Sequence, residues 1–375
     1  MENRAILIID SSERNSDLYY ATKFKVPDPV MYIESNKESF LVLNDLEVDR
    51  GKKEANVTEI IAVSKYEDKL KYAKDKNFLL LDIILKEKGI KKLLVSENFG
   101  AYYYKKLINN GYDIEIKRGS LYDNRIIKSQ EEKNHIFNVM KDIDTGFRKA
   151  VKVLKDSVIE GEFLKYNGEF LTSEYLKKVI NVYLMGKNTI SHSIIVASGN
   201  QTVDPHNDGS GYIYANEPII FDIFPQSLDS LYFGDQTRTV VKGKASKEIK
   251  EIWNTVLEGQ KLGIEMLKDG VDGFDIHNNI LDYFNSKGYK TGLINGRMQG
   301  FFHGTGHGVG LDIHEAPRIN KQAHNILKEG MVVTIEPGLY YEGIGGVRIE
   351  DTLFVTRNGY ENLSVSEKFL EIDWC

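Results

Sequence analysis

Short apolar runs alternate with amphipathic segments over the first 120 or so residues of the chain. This alternation is typical of an α/β domain, in which strands and helices follow one another. Apolar runs of strand length occur at residues 5–9, 30–34, 40–43, 59–63 and 92–95. Helices are predicted near residues 77–88 and 101–110.

A polar, charged stretch at residues 124–133 separates this region from a second one. Within it, Ser129 is followed three residues later by Glu132, a spacing that predicts a capping box. The chain should therefore begin a long helix here that continues to about residue 157. We place the domain boundary at this point, with an α/β domain at 1–124 and an α+β domain at 125–375.

The second region repeats one order of elements, helix, helix and hairpin. After the long helix, the first copy is predicted to contain a helix at 173–184 and strands at 194–197, 218–223 and 237–241. The second copy is predicted to contain helices at 247–268 and 274–287 and strands at 331–335 and 347–355. Such a repeat predicts two facing halves that enclose a site between their sheets.

Composition and charge exclude several classes of function. A chain of 375 residues, 41% hydrophobic and 28% charged, is ordinary for a soluble protein with two domains. Its net charge of −6 argues against a nucleic-acid-binding surface. The first region has no Gly-x-Gly-x-x-Gly after a strand and no P-loop, so a structural or dimerising role is favoured over nucleotide binding.

Features of the termini and the apolar runs predict a cytoplasmic protein. The only cysteine is Cys375, so no intrachain disulfide is expected. The apolar run at 5–9 is ended by Asp10 and lacks a cleavage-site pattern, which indicates a buried strand and not a signal peptide. No stretch approaches the roughly 20 consecutive apolar residues of a membrane helix.

Two acidic pairs stand at predicted strand ends. Asp222 ends an apolar run 13 residues before Asp235, and Glu336 ends another run 14 residues before Glu350. A charged group in such a run is unfavourable unless it is paired or binds a metal. The alternative for Asp235 is a surface ion pair with Arg238.

The sequences around the second member of each pair indicate one supersecondary unit used twice. An Asp-Gln-Thr tail begins at Asp235, and a Glu-Asp-Thr tail begins at Glu350. In the second copy, strand alternation places Arg348 on the same face as Glu350. The arginine could therefore orient this carboxylate or bind substrate.

A glycine-rich segment at 301–310 contains His303 and His307, and His314 follows shortly after it. Glycines let the backbone approach a ligand closely. A lone histidine is more often structural, but three of the chain's eight histidines within twelve residues, beside these glycines, favour a functional site.

Four carboxylates and an imidazole form a hard, oxygen-rich donor set that suits two divalent ions better than a structural zinc held by thiolates. Two such ions can share a bridging water or hydroxide and stabilise a tetrahedral oxyanion, which is the chemistry of amide hydrolysis. We expect manganese or cobalt, with iron, magnesium or zinc as alternatives. Metal affinity and activity should fall at low pH, where crowded carboxylates take up protons.

These motifs resemble the pita-bread metallopeptidases of the aminopeptidase P and prolidase branch, over nearly the whole chain. The resemblance implies a pita-bread catalytic domain with an internal pseudo-twofold repeat, and a homodimer. It implies hydrolysis of the Xaa-Pro bond at the N-terminus of dipeptides or short peptides. It also implies five metal ligands, Asp222, Asp235, His307, Glu336 and Glu350, of which Asp235 and Glu350 bridge both ions.

The resemblance further implies roles for the residues around the metals. A metal-bridging hydroxide would attack the Xaa-Pro carbonyl, and Glu336 would shuttle its proton. His303 and His314 would stabilise the substrate and the intermediate. The substrate would also be bound by His206 and Arg348.

Two further features bear on the branch of the family. Residues 18–24 resemble the family's N-terminal domain, which methionine aminopeptidases lack. The hairpin that carries Asp222 and Asp235 is longer than is usual, and its extra residues lie at 224–233, where the tip is either longer or reaches a neighbouring pocket. Creatinases share the fold but do not keep the ligands, so they are a poorer match.

The alternatives that remain open are a non-catalytic peptide-binding protein and another amidohydrolase on the same fold. Within the peptidases, a dipeptidase and an aminopeptidase that acts on longer peptides are not separated by these motifs.

Overall fold

The computed structural model describes residues 4–36 and 38–372. The first three residues and Cys375 lie outside the described residues. The chain divides into two compact units, Met1–Arg125 and Ile126–Cys375. Within the described part of the chain, no helix has both the length and the apolar character needed to cross a membrane.

A mixed sheet forms the centre of the first unit. Its strands are β1 (Arg4–Asp10), β2 (Val30–Ser35), β3 (Glu38–Leu43), β4 (Glu59–Ala62), β5 (Lys92–Ser96) and β6 (Asp113–Lys117). They lie in the order β4-β3-β2-β1-β5-β6. The pairs β1–β2 and β2–β3 are antiparallel, whereas the remaining pairs are parallel. The predicted strands are confirmed, and β6 adds an edge strand that the sequence patterns did not indicate.

Helices cover this sheet. They are α1 (Ser16–Thr22), α2 (Val48–Glu54), α3 (Glu67–Leu70), α4 (Lys76–Glu87) and α5 (Ala101–Asn109). Helix α4 begins where the Asp75 side chain accepts a hydrogen bond from the Phe78 amide, at 3.2 Å. Its residues Leu81 and Ile84 are fully buried in one core with strand residues such as Leu7 and Ile33. The predictions of α4 and α5 are confirmed, and α1 and α2 are too short to give a clear helical period.

The second unit contains the longer helices, α6 (Gln130–Asp156), α7 (Ser173–Met185), α8 (Lys247–Glu265) and α9 (Gly273–Ser286). All four confirm the predicted helices. The capping box at the start of α6 is also confirmed, because the Ser129 hydroxyl accepts from the Glu132 amide at 3.2 Å and the Glu132 carboxylate accepts from the Ser129 amide at 2.7 Å.

The strands of the second unit are short and antiparallel. They are β7 (Val158–Glu160), β8 (Phe163–Tyr166), β9 (Glu169–Phe170), β10 (Thr189–Ile190), β11 (Ile194–Ser198), β12 (Ile219–Ile223), β13 (Gln226–Ser227), β14 (Gln236–Val240), β15 (Gly292–Ile294), β16 (Arg297–Gln299), β17 (Gly306–Gly308), β18 (Glu315–Ile319), β19 (Val332–Ile335), β20 (Gly338–Tyr341), β21 (Gly345–Arg348), β22 (Asp351–Thr356) and β23 (Gly359–Asn362). Two sheets carry the acidic pairs, one in the order β11-β12-β14 and one in the order β18-β17-β19-β22-β23. With the helices, they form a mixed α/β fold.

The predicted continuous strand at 347–355 is wrong. The chain changes partner within it, because Arg348 in β21 pairs with Gly338 in β20, whereas Asp351 in β22 pairs with Ile335 in β19. Glu350 lies between the two ladders, and its amide donates to the Thr237 carbonyl at 3.1 Å. Alternation of side chains continues through this segment, so the sequence pattern does not reveal the change of partner.

The extra residues at 224–233 form a folded tip between β12 and β14. Strand β13 in this tip pairs with β10, and the Phe233 amide donates to the Gly310 carbonyl at 2.8 Å. The tip therefore contacts the glycine-rich segment. Leu231, near its end, has a φ of +62°, an unusual conformation for a residue with a branched side chain.

Replacement of this residue, Leu231→Gly, is expected to raise the free energy of unfolding by about 0.5–1 kcal/mol, because glycine adopts a positive φ without steric conflict. Chemical denaturation monitored by tryptophan fluorescence would measure the change. Leu228→Gly is the matched control in the same turn, since Leu228 is not among the residues with positive φ. That control should destabilise the protein, and equal destabilisation by both variants would contradict the expectation.

Candidate metal centre

One cavity in the second unit, of about 530 Å³, is lined by residues of both acidic pairs and by the histidine cluster. All the site residues singled out in the sequence line it: Asp222, Asp235, His307, Glu336, Glu350, His206, His303, His314 and Arg348. Phe224, from the extended tip, lines it as well. The tip thus reaches the cavity itself.

The first acidic pair is held by a two-strand register. Asp222 lies in β12 opposite Thr237 in β14, and Asp235 directly precedes β14. The surface alternative for Asp235 is wrong, because Asp235 is only 5% exposed. Its proposed partner, Arg238, is also buried and forms its ion pair with Asp351, at 2.8 Å.

The second acidic pair lies at strand ends in the other sheet. Glu336 directly follows β19 and Glu350 directly precedes β22, so the paired residues Ile335 and Asp351 bring the two carboxylates alongside. The Glu336 amide also donates to the Thr305 carbonyl, at 2.7 Å. The glycine-rich segment therefore fixes the backbone of this glutamate.

Hydrogen bonds between the two hairpins are reciprocal. The Thr237 hydroxyl donates to the Glu350 carboxylate at 2.8 Å. The Thr352 hydroxyl donates to the Asp235 carbonyl at 2.7 Å. Each threonine lies two residues after the acid of its own pair, so the similar tails seen in the sequence join the hairpins to each other.

His307 in β17 completes the cluster. Its Nδ1 lies 3.1 Å from the Gly308 carbonyl, which only accepts hydrogen bonds, so Nδ1 carries the proton in the neutral ring. Nε2 then presents its lone pair to the acids, 3.3 Å from Glu336 Oε1 and 3.5 Å from Asp235 Oδ2. The neighbouring Gly306 is required for this approach, since a Cβ there would lie 1.9 Å from the Thr334 carbonyl oxygen.

The donor set fits a divalent cation. Donor atoms of Asp235, His307 and Glu350 all lie within 4.8 Å of one another. Among the described residues, Asp222 Oδ1 is buried without a hydrogen-bond partner. Burial raises the pKa of Asp235 well above its usual value, and the charges of nearby acids, Glu350 first, add to this. Burial likewise raises the pKa of Glu350, with Glu336 as the next cause. A cation would offset this crowding of charge.

A chain of hydrogen bonds crosses the cavity wall beside the acids. Arg348 donates to Asp222 Oδ2 at 2.8 Å and to the Tyr340 hydroxyl at 2.9 Å. His303 Nδ1 lies 2.7 Å from the Gly304 carbonyl, which only accepts hydrogen bonds, so Nδ1 carries the proton of the neutral ring. Nε2 is then unprotonated and accepts from the same tyrosine hydroxyl at 2.9 Å. Burial raises the pKa of Tyr340 to about 12, which keeps this hydroxyl protonated.

Tyr340 is a site residue that the sequence patterns did not indicate. It lies in β20, which was also not predicted, because Gly338 and Pro337 favoured a turn after Glu336. Arg348 lies beside an acid of the cavity, but the carboxylate that it pairs with is Asp222 of the other hairpin, and not Glu350, which the alternation of side chains predicted.

His206 and His314 form the exposed side of the cavity. The His314 ring meets the His307 ring edge-on, with 4.3 Å between centroids. Both exposed rings are thus placed where a bound molecule could contact them.

Loss of one hydroxyl, Thr237→Val, is expected to weaken divalent-metal binding by about 10-fold, because the Glu350 carboxylate loses the donor that orients it. Isothermal titration with Mn²⁺ would measure the change. Thr352→Val is the matched control, since that hydroxyl bonds a backbone carbonyl and not a carboxylate. The control should change metal affinity by less than about threefold, and equal losses in the two variants would contradict the expectation.

Known proteins resemble this chain over most of its length. The model of metallopeptidase family M24 matches residues 142–357. The chain is 30% identical over 360 residues to the Xaa-Pro dipeptidase of Pyrococcus horikoshii, covering 95% of this chain and 92% of that protein. It is 32% identical over 340 residues to the Xaa-Pro dipeptidase of Pyrococcus furiosus, covering 90% and 88%. Among solved structures, the Xaa-Pro dipeptidase from Bacillus anthracis has a TM-score of 0.81 and 27% identity, covering 98% of this chain and 95% of that one. The chain therefore belongs to metallopeptidase family M24, as the resemblance of its motifs predicts.

Proposed function

We propose that this protein is a metal-dependent peptidase that hydrolyses the Xaa-Pro bond at the N-terminus of dipeptides or short peptides. The observation that carries the proposal is the convergence of two acidic pairs and His307 on one cavity. The relatives named Xaa-Pro dipeptidase, which match nearly the whole chain, support the choice of bond.

The five residues proposed to hold two divalent ions are Asp222, Asp235, His307, Glu336 and Glu350. Among them, Asp235 and Glu350 are the two carboxylates whose pKa values burial and the neighbouring acids raise furthest, so they would gain most from a bound cation. When bound, the ions would supply an activated water and positive charge opposite the developing oxyanion. Manganese or cobalt is the proposed metal, since the donors are mostly carboxylate oxygens, with iron or zinc as alternatives.

The remaining roles belong to side chains of the chain itself. Glu336 is proposed to accept the proton of the attacking water and to pass it to the leaving proline nitrogen. His303 and His314 are proposed to bind the substrate and to stabilise the charge that develops on its carbonyl oxygen. His206 and Arg348 are proposed to bind the rest of the substrate, while Arg348 also holds Asp222.

Several finer statements about the protein are part of the same proposal. The hydrogen bonds of Thr237 and Thr352 between the hairpins support an internal pseudo-twofold repeat of pita-bread type in residues 125–375. Residues 1–124 are proposed to form a separate domain. A homodimer and a cytoplasmic location follow from the resemblance and the sequence features, and they stay predictions.

Hydrolysis assays would test the proposal. Protein stripped of metal by a chelator, with Mn²⁺ or Co²⁺ added back, would be given Xaa-Pro dipeptides and longer Xaa-Pro peptides. Metal-dependent release of the first residue is expected, and the preferred length would distinguish a dipeptidase from an aminopeptidase. Matched Xaa-Ala peptides control for proline specificity. Metal binding without cleavage of any of these peptides would favour a peptide-binding protein or a different amide substrate.

A further inference from the structure

His277 is a buried histidine outside the proposed metal site. It lies in α9 and is 3% exposed. Burial is the main cause that lowers its pKa to about 4, and the positive charge of Lys321 acts in the same direction, so the ring is neutral at physiological pH. A neutral imidazole has one donor and one acceptor, and both are costly to bury without partners.

The ring contacts the glycine-rich segment in two ways. Its Nδ1 lies 2.9 Å from the Thr305 hydroxyl. Its face packs against Phe301, with 5.1 Å between ring centroids, and Phe301 in turn meets His303 edge-on at 5.3 Å. Helix α9 therefore contacts the glycine-rich segment at two points. One is Phe301, before His303, and the other is Thr305, between His303 and His307.

Thr305 connects this contact to the acids. It lies between Gly304 and Gly306, is fully buried, and has its amide bonded to the Ile319 carbonyl at 2.8 Å. Its carbonyl accepts the Glu336 amide at 2.7 Å. These backbone bonds and the pairing of Gly306 with Ile319 hold one side of Thr305. The side-chain hydroxyl adds a second attachment, through which α9 contacts the residue that carries this carbonyl.

We propose that His277 is a positioning residue, which sets the segment carrying His303 and His307 and the backbone of Glu336 through its hydrogen bond to Thr305. The inference rests on the proposed function only for its activity readout. Its effect on metal binding can be measured whatever the substrate proves to be.

Two substitutions separate positioning from simple packing. His277→Leu fills a similar volume but leaves the Thr305 hydroxyl unpaired. His277→Asn is smaller, but its side-chain amide can occupy the position of Nδ1 and keep the hydrogen bond in either direction. A packing role predicts that the asparagine variant is the more damaged of the two, whereas a positioning role predicts the reverse.

The measurement is titration of metal-free protein with Co²⁺, followed by the visible absorption of the bound ion, together with kcat and KM for an Xaa-Pro dipeptide. His277→Leu is expected to weaken Co²⁺ binding and to lower kcat by about 10-fold or more, with KM changed less. His277→Asn is expected to stay within about threefold of the wild type in both. Thermal unfolding of each variant sets a working temperature at which all are folded.

Thr305→Val tests the same bond from the other side, and it serves also if His277→Leu does not fold. It should reproduce the Co²⁺ spectrum and affinity of the leucine variant, and the double variant should show little further loss, because both changes remove one interaction. Wild-type affinity and kcat in His277→Leu, or equal losses in the leucine and asparagine variants, would overturn the inference. Absence of Xaa-Pro hydrolysis by the wild type would count against the proposed function, and the Co²⁺ titrations would still decide the role of His277.

Discussion

Glu336→Gln is expected to lower kcat for an Xaa-Pro dipeptide by about 10²–10⁴-fold. Glutamine keeps the shape of the side chain and one carbonyl oxygen, but it can neither accept the proton of the attacking water nor deliver it to the leaving nitrogen. The Glu336 backbone is fixed by the Thr305 carbonyl, so the substituted side chain should remain in the cavity beside His307. The loss should therefore appear in kcat far more than in KM.

Metal content must be measured alongside activity, because Glu336 is also a proposed ligand. Elemental analysis of the variant after dialysis against Mn²⁺ should find metal still bound, at reduced affinity. Glu342→Gln is a suitable control, since that carboxylate is exposed on the turn six residues further along the same hairpin. Glu342→Gln should retain full activity. Retention of activity in Glu336→Gln with metal bound would remove Glu336 from the proton-transfer role.

The cluster could be foreseen because one acid of each pair breaks a local rule. Asp222 and Glu336 interrupt runs of apolar residues, and a buried charge without a partner is unfavourable enough that such positions usually have a function. The glycine-rich segment around His307 is similarly conspicuous. The structure brings these residues to one cavity, which order along the chain alone could only suggest.

The supporting contacts could not be foreseen in the same way. Thr237, Tyr340 and His277 are ordinary residues in ordinary patterns, and their roles arise from partners more than 25 residues away along the chain or from an unpredicted strand. The wrong prediction of a continuous strand at 347–355 has the same origin. A two-residue alternation records which face a side chain occupies, but it does not record which neighbouring strand the backbone bonds to.

The clearest test of the charge crowding is Asp235→Asn, which is expected to abolish metal-dependent activity and yet to stabilise the metal-free protein. Asp235 is buried, and its pKa is raised by burial and by the charges of Glu350, Asp222 and Glu336. Asparagine keeps the size of the side chain and removes one of these charges. We expect the free energy of unfolding at neutral pH to rise by about 1–2 kcal/mol, a gain in stability at the expense of function.

The gain in unfolding free energy of Asp235→Asn over the wild type should grow as pH rises. Because the folded-state pKa of Asp235 lies above its unfolded value of about 3.9, the folded state binds the proton more tightly, and this residue's contribution to stability falls as pH rises above about 4. Asp235→Asn should therefore match the wild type near pH 4 and exceed it increasingly towards pH 7. Urea denaturation of chelator-treated protein at several pH values would measure the difference.

Asp351→Asn is the control, because Asp351 is also a buried carboxylate but its pKa is shifted in the opposite direction. Burial alone would raise the pKa of Asp351, but the positive charges of Arg238 and Lys368 lower it overall. The ionised Asp351 therefore stabilises the folded state at neutral pH, and this stabilisation is lost as pH falls. Asp351→Asn should accordingly destabilise the protein most at neutral pH. If Asp235→Asn also lowered the stability of the metal-free protein at pH 7, the acids would be stabilised by partners other than a cation, and the argument for a metal from their crowding would fail.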